Sequence, residues 1–247
     1  MNRFFKYAAI PFVIYASACA AQVNTTHWGY QNENGPDHWG SITQDFRLCA
    51  TGKNQSPINI KKASKTTLNH LNLGFKTGPQ TVINNGHTIQ VNISEGNTLK
   101  LDDELYTLTQ FHFHSPSENE INGKHFPLEM HLVYKSDSDD LVVLAVMFKT
   151  GSENKALANL WQHLPAKEGD ESALSQPVKV KDLLPSELNH YRFSGSLTTP
   201  PCSEGVTWMV FETQLQASEQ QIQTFKTIIH DNNRPVQPIS GRVVVEE

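Results

Sequence analysis

The sequence predicts a β-dominated α+β fold: a single domain built on a large, mostly antiparallel, twisted central sheet with short peripheral helices. Three observations predict it. Short alternating or apolar runs recur at 81–93, 99–101, 105–114, 128–134, 141–149 and 205–212, separated by Asn-Gly, Asp-Asp and Ser-Asp turn signals. Helical signals are confined to two places. No fixed-period repeat or low-complexity linker divides residues 27–247, and single β-rich domains of that size are ordinary.

The chain opens with Arg3 and Lys6, an apolar stretch from Tyr7 to about Tyr15, and the small residues Ala16-Ser17-Ala18-Cys19-Ala20-Ala21. That order reads as a signal peptide over residues 1–20, followed by a mature domain over 21–247 that is periplasmic or secreted. The apolar part is too short for a membrane span. Cleavage after Ala20 releases a soluble chain. Cleavage before Cys19 would leave a lipid anchor there, although Ala16 stands where such signals carry a larger aliphatic residue. The other two cysteines, Cys49 and Cys202, form an even pair, which in an exported chain invites a disulfide. Closing a loop of that length constrains the unfolded chain by roughly 4–5 kcal/mol on the entropy model; two free buried thiols are the alternative.

The helical signals lie late in the chain. Ser218 with Gln221 makes a capping box, and Ile222, Phe225, Ile228 and Ile229 follow at helical spacing. A weaker candidate covers 156–164, with Leu157, Leu160, Trp161 and Leu164 on one side. The formal charge is −5, from 20 basic and 25 acidic residues; without Arg3 and Lys6, 18 basic residues remain and the balance is −7. An acidic body with no Lys/Arg stripe argues against a nucleic-acid partner but not against a small neutral substrate.

The richest stretch is Gln110-Phe111-His112-Phe113-His114, followed by Glu118 and then Glu129-Met130-His131. On a strand, side chains alternate faces, so Gln110, His112 and His114 share one face and Phe111 and Phe113 the other. The turn-rich segment 115–127 lets the chain reverse, and Glu129, His131 and Val133 share a face on the returning strand. If the two strands pair antiparallel, three imidazoles converge. Three neutral imidazoles suit Zn²⁺ and leave its fourth position for water, as in catalytic sites. Gln110 can accept from His112 and Glu129 from His131, fixing their tautomers. Spacing alone also fits a cupin-type metalloenzyme, in which Glu118 would be a ligand; the Gly and Pro spacing that cupins place after the Glu and before the last His is absent.

At Ser196-Leu197-Thr198-Thr199-Pro200-Pro201-Cys202 the chain resembles the alpha-class carbonic anhydrases, bacterial periplasmic members above all. The resemblance runs from His27-Trp28-Gly29-Tyr30 through Gly35-Pro36-Asp37-His38-Trp39, Asn54-Gln55-Ser56-Pro57-Ile58-Asn59-Ile60 and Asn84-Asn85-Gly86-His87. It ends with Val206-Thr207-Trp208 and Asn233-Arg234-Pro235-Val236-Gln237-Pro238. It implies a zinc lyase that interconverts carbon dioxide and bicarbonate, with Zn²⁺ on His112, His114 and His131. It further implies that Glu118 accepts from the Thr198 hydroxyl, which orients a zinc-bound hydroxide, and that His87 exports the proton. Val133, Val143, Leu197 and Trp208 would form an apolar wall for carbon dioxide, and Thr198 and Thr199 would contact bicarbonate. The same pattern pairs Cys49 with Cys202 and allows a homodimer. Phe193, where many relatives carry Tyr, and Gln90, at a variable cavity position, are departures. A non-catalytic binding module of the same family remains the alternative from another class; such members lack a zinc histidine, and all three are present here.

Overall fold

The computed structural model describes residues 27–67, 71–94 and 96–246. The signal-peptide reading of residues 1–20, with Cys19, lies outside the described residues. In chain order the strands are β1 (Asn59–Ile60), β2 (Ser64–Lys65), β3 (Asn72–Gly74), β4 (Gln80–Asn84), β5 (Ile89–Ile93), β6 (Thr98–Leu101), β7 (Glu104–His114) and β8 (Glu120–Ile121). They continue as β9 (Leu128–Ser136), β10 (Leu141–Thr150), β11 (Glu171–Ala173), β12 (His190–Ser196), β13 (Glu204–Phe211), β14 (Leu215–Ala217) and β15 (Val245–Glu246). Four short α-helices accompany them: α1 (Trp39–Ile42), α2 (Leu48–Thr51), α3 (Lys155–Trp161) and α4 (Glu219–Ile229).

One large sheet runs in the order β11-β4-β5-β7-β9-β10-β13-β12-β15-β2; β3 and β6 join beside β7, β14 joins β10, and β1 pairs separately with β8. Neighbours from β11 to β10 are antiparallel, but β10 meets both β13 and β14 in parallel, as β15 meets β2. The sheet is therefore mixed, which corrects the mostly antiparallel expectation. The reason is the long excursion between β10 and β13 over residues 151–203, the kind of crossover that parallel neighbours require.

The run 81–93 is two strands. Asn85 Oδ1 accepts from the backbone N–H of His87 (3.0 Å) and of Thr88 (2.9 Å), and Gly86 takes φ +82°, so the Asn-Gly pair turns the chain. The capping box forms as read, with Ser218 accepting from Gln221 N–H at 3.1 Å and Gln221 returning the bond. The second helix, α3, is capped by Asn154 and ends before Leu164. β12, whose sequence HYRFSGS lacks clean alternation, escaped the reading and is set by pairing with β13.

Both faces of the sheet are buried. One carries the larger core, with Phe111, Phe113, Met130, Leu132, Leu144, Val146 and Phe148, covered by α3 and α4 through Leu157, Leu160, Ile222 and Phe225. The other carries Val143, Ala145, Met147, Trp208 and Val210 beneath Ile58 and Ile60. A third cluster gathers Trp28, Tyr30 and Trp39 around a Cys49–Cys202 disulfide. Its Cα atoms are 5.1 Å apart across a separation of 153 residues.

β7 carries a bulge at Thr109: Leu108 pairs with Tyr134, but Gln110 already pairs with Val133. The extra residue reverses the alternation. Tyr106 and Leu108 belong to the larger core, and so do Phe111 and Phe113, which have the opposite parity. Without the bulge, His112 and His114 would follow Leu108 into that core.

Replacing both Cys49 and Cys202 with serine is expected to lower stability by about 2–5 kcal/mol. Urea unfolding of the mature protein checks this; a loss below about 1 kcal/mol would show that packing alone holds the loop.

Candidate metal centre

β7 and β9 bring the three histidines together. His112 lies opposite His131 in the ladder and His114 opposite Glu129. One ring nitrogen from each of the three lies within 4.8 Å of the others. Each ring's remaining nitrogen is held by an acceptor: His112 Nδ1 by Gln110 Oε1 (2.8 Å), His114 Nδ1 by the Asn232 carbonyl (2.8 Å), and His131 Nε2 by Glu129 Oε1 (2.9 Å). An acceptor there demands the N–H on that nitrogen, so lone pairs turn inward at Nε2, Nε2 and Nδ1. His114 Nε2 is buried with no hydrogen-bond partner among the described residues. A buried lone pair that no donor meets fits a cation. Burial, reinforced by the neighbouring imidazoles, holds His112 and His131 well below the ordinary 6.5, and burial lowers His114 as well. The rings are therefore neutral, as ligation requires. From behind, Phe113 packs on Trp161 of α3 and Phe225 of α4, so the helices brace the ligand strand.

Glu129 is fully buried and fully satisfied. Its Oε2 accepts from the backbone N–H of Glu118 (2.6 Å) and Asn119 (2.9 Å), and its Oε1 from Asn119 Nδ2 (2.8 Å) and the His131 ring. One carboxylate thus orients a ligand and pins the start of the excursion after β7. Glu118 points inward from that excursion, with Oε2 3.5 Å from His114 Nε2 and 3.9 Å from His131 Nδ1. Its Oε1 accepts from Arg234 N–H at 2.9 Å. Burial drives the Glu118 carboxyl well above its ordinary range, while the Arg234 N–H and a hydrogen bond from Thr198 oppose that rise. Thr198 is held by its own loop: Leu197 N–H donates to Ser203 O and Cys202 N–H to Thr199 O, each 2.9 Å.

Adjacent strands carry the apolar side of the centre. Gln110, Val133, Val143 and Trp208 occupy one row across β7, β9, β10 and β13, next to the row of His112 and His131. Residues opposite one another in a ladder share a face, so the two valines and Trp208 lie beside the histidines. Trp208 meets the His131 ring edge-on at 4.9 Å, and its indole N–H donates to Ser196 O at 3.0 Å. Leu197 packs on the same cluster. Gln90 lies opposite His112 and joins Asn85 and Asn92 in a polar row. Phe193 is buried and lies parallel to the Trp208 ring, centroids 6.2 Å apart.

His87 stands apart from this group. Its ring stacks on Trp28 at 3.6 Å, and the cavity it lines contains none of the three histidines.

Two residues acquire roles that sequence reasoning did not assign. Asn232 gives its carbonyl to His114, its Oδ1 to Ser115 N–H, and its Nδ2 to the carbonyls of Phe113 and His87. Arg234 is buried, donates to Cys49 O, Gln55 Oε1 and Ser56 O at 2.8 Å each, and lies 5.8 Å from the Trp39 ring. Burial lowers its pKa to about 10, against the pull of Glu118. The parity change from Tyr106 and Leu108 to Phe111 and Phe113 was the available signal for the bulge.

So open a donor set, three neutral imidazoles with an apolar flank, defines a metalloprotein of the catalytic kind rather than a structural metal site. The match to the eukaryotic-type carbonic anhydrase family covers residues 34–247, and the chain belongs to that family, the alpha class. It is 53% identical over 227 residues to a carbonic anhydrase of Pectobacterium carotovorum, covering 92% of this chain and 93% of that one. It is 46% identical to one of Neisseria gonorrhoeae, covering 94% and 92%. Among solved structures, the alpha-carbonic anhydrase of Thermovibrio ammonificans with the inhibitor sulfanilamide superposes with a TM-score of 0.88 at 42% identity, over 89% of this chain and 99% of that chain.

Glu129→Gln is expected to weaken zinc affinity about 10–100-fold, because the His131 N–H then faces an amide in place of a carboxylate; competition with a chelator measures it. The lowered histidine values also have a sign. Neutral rings persist below pH 6.5, so proton competition for the metal is expected to begin only at lower pH, which zinc retention against a chelator across pH 5–8 reads directly.

Proposed function

We propose that this chain catalyses the reversible hydration of carbon dioxide to bicarbonate and a proton, with zinc held by His112, His114 and His131. The observation that carries the reading is the convergence of three neutral nitrogens, each backed by an acceptor, beside an apolar row. Bound there, zinc supplies a water acidic enough to act as a nucleophile near neutral pH, as is already established for carbonic anhydrases.

The protein's own groups do the rest. A hydroxyl has one proton, so when Thr198 gives it to the Glu118 carboxylate its oxygen can only accept from the reacting water. The water is thereby aimed, and orientation lowers the barrier with no covalent intermediate. Glu118 has to be ionised for this; the Arg234 N–H, the Thr198 hydrogen bond and the Arg234 charge favour that form, and a nearby cation favours it further. Carbon dioxide is small, apolar and uncharged, and Val133, Val143, Leu197 and Trp208 offer it an apolar wall. Thr198 and Thr199 contact the bicarbonate product.

His87 removes the proton. Its carbonyl is tied to Asn232, which also holds His114, so the turn carrying it is fixed relative to the ligand strand. The disulfide favours an oxidising compartment. With the leader read over residues 1–20, the mature domain (21–247) works in the periplasm or outside the cell. No helix among the described residues is long and apolar enough to cross a membrane.

Stopped-flow hydration tests the reading. Thr198→Ala is expected to lower kcat/KM about 10²-fold, and chelation should abolish activity until zinc is restored. His87→Ala is expected to slow kcat in weak buffer about tenfold or more, with rescue by added imidazole. Zinc-loaded protein that hydrates carbon dioxide no faster than plain buffer would refute the assignment.

A further inference from the structure

The His87 turn is packed against a second loop that the reaction described above does not use. One buried residue, Asn84, fixes both. Its Oδ1 accepts from Gly86 N–H (3.0 Å) in the turn. Its Nδ2 donates to Pro165 O (3.2 Å), its carbonyl accepts from Gly169 N–H (2.8 Å), and its N–H donates to Asp170 O (3.1 Å). The loop 165–170 is thus strapped onto the turn, and β11 continues the pairing with Glu171 opposite Ile83. The strap sets Glu168 over Gly86: a Cβ at that glycine would stand 2.6 Å from the Glu168 Cδ and 2.7 Å from its Oε1. Only a residue without a side chain, free to take φ +82°, admits the carboxyl so close. His87 is next in the chain, and His87 and Glu168 line one cavity of about 300 Å³ together with Trp28.

We propose that Glu168 is a positioning residue for proton export, its carboxylate standing over the turn as the counter-charge that His87 needs while it carries the proton. The inference rests on the reading of His87 as the proton carrier. In that role the imidazole takes one proton at a ring nitrogen, becomes imidazolium beside Trp28, and returns to neutral imidazole when a buffer base or water takes the proton. One proton leaves for each carbon dioxide hydrated. A half-buried ring stacked on an indole resists the charged form, and a neighbouring carboxylate offsets that resistance. The other titratable groups facing the cavity are His27, Tyr30, His230 and Asp231, and Asp231 is engaged by Lys226 at 3.2 Å. Burial pulls His87 below its ordinary 6.5, Glu168 raises it again, and His27 lowers it.

The experiment compares the zinc enzyme with Glu168→Gln, Glu168→Lys, Glu168→Asp, His87→Ala and the Glu168→Gln/His87→Ala pair, measuring kcat and kcat/KM in weak buffer across pH 6–9. Glu168→Gln is expected to lower the plateau of kcat about two- to tenfold, leave kcat/KM in place and move the midpoint of the kcat profile to lower pH. Glu168→Lys is expected to do more in the same direction, Glu168→Asp to recover most of the loss, and added imidazole to erase the difference. In the His87→Ala background, Glu168→Gln should cost nothing further. If His87→Ala slows weak-buffer turnover but both Glu168→Gln and Glu168→Lys keep the wild-type plateau and midpoint, the role of Glu168 is overturned while that of His87 stands. A further loss in the double variant would also overturn it. If His87→Ala itself leaves weak-buffer turnover unchanged, the proton-carrier reading falls first.

Discussion

Antiparallel pairing of β7 with β9, at one register and with one bulge, is the constraint that brings the three histidines together. It sets His112 opposite His131 and His114 opposite Glu129. The same pairing puts Val133 and, one strand on, Val143 and Trp208 in the neighbouring row. Phase is the vulnerable quantity in a strand, because a shift of one residue exchanges its faces. Thr109 uses that property: the two halves of β7 serve the same core in opposite parity, and only the second half turns histidines to the other side. Phe113, wedged between Trp161 and Phe225, holds the second half in that phase.

Around the histidines the electrostatics are settled by hydrogen bonds more than by open charge. Each ring faces one acceptor, which decides the tautomer, and burial keeps the rings neutral. Glu129 would be costly in such a place without partners, and it has four donors. Glu118 has an incomplete set and a raised pKa, so it responds to what its neighbours offer. Arg234 supplies part of that offer through its backbone, while its side chain is spent on the Cys49 and Ser56 carbonyls and Gln55 Oε1. A single residue thereby connects the N-terminal segment to the carboxylate beside the three histidines.

Much of this was legible in the sequence, for identifiable reasons. The alternation of Gln110, His112 and His114 against Phe111 and Phe113 is local, and so is the capping box at Ser218 and Gln221; both appear in the fold as read. The acceptors Gln110 and Glu129 lie two residues from their histidines, within the reach of strand parity. What escaped was non-local. The third acceptor is the carbonyl of Asn232, 118 residues from His114, and a main-chain carbonyl leaves no mark in composition. The parallel contact of β10 with β13 depends on how residues 151–203 return, which no local pattern encodes. β12 was hidden because its partners, more than its own side chains, make it a strand. The roles proposed for Thr198 and Glu118 rest on the resemblance; by spacing alone Glu118 also fitted a metal ligand.

The Cys49–Cys202 bridge has a consequence for biogenesis. In a chain delivered N-terminus first, Cys49 arrives 153 residues ahead of its partner. It therefore travels as a lone thiol through most of the delivery, open to mixed disulfides with whatever oxidant or neighbour it meets. Closure waits for the strand β12 to be laid down and the segment after it to arrive. The bridge can close only after most of the chain has arrived, and a chain halted midway would carry an unmatched reactive sulfur.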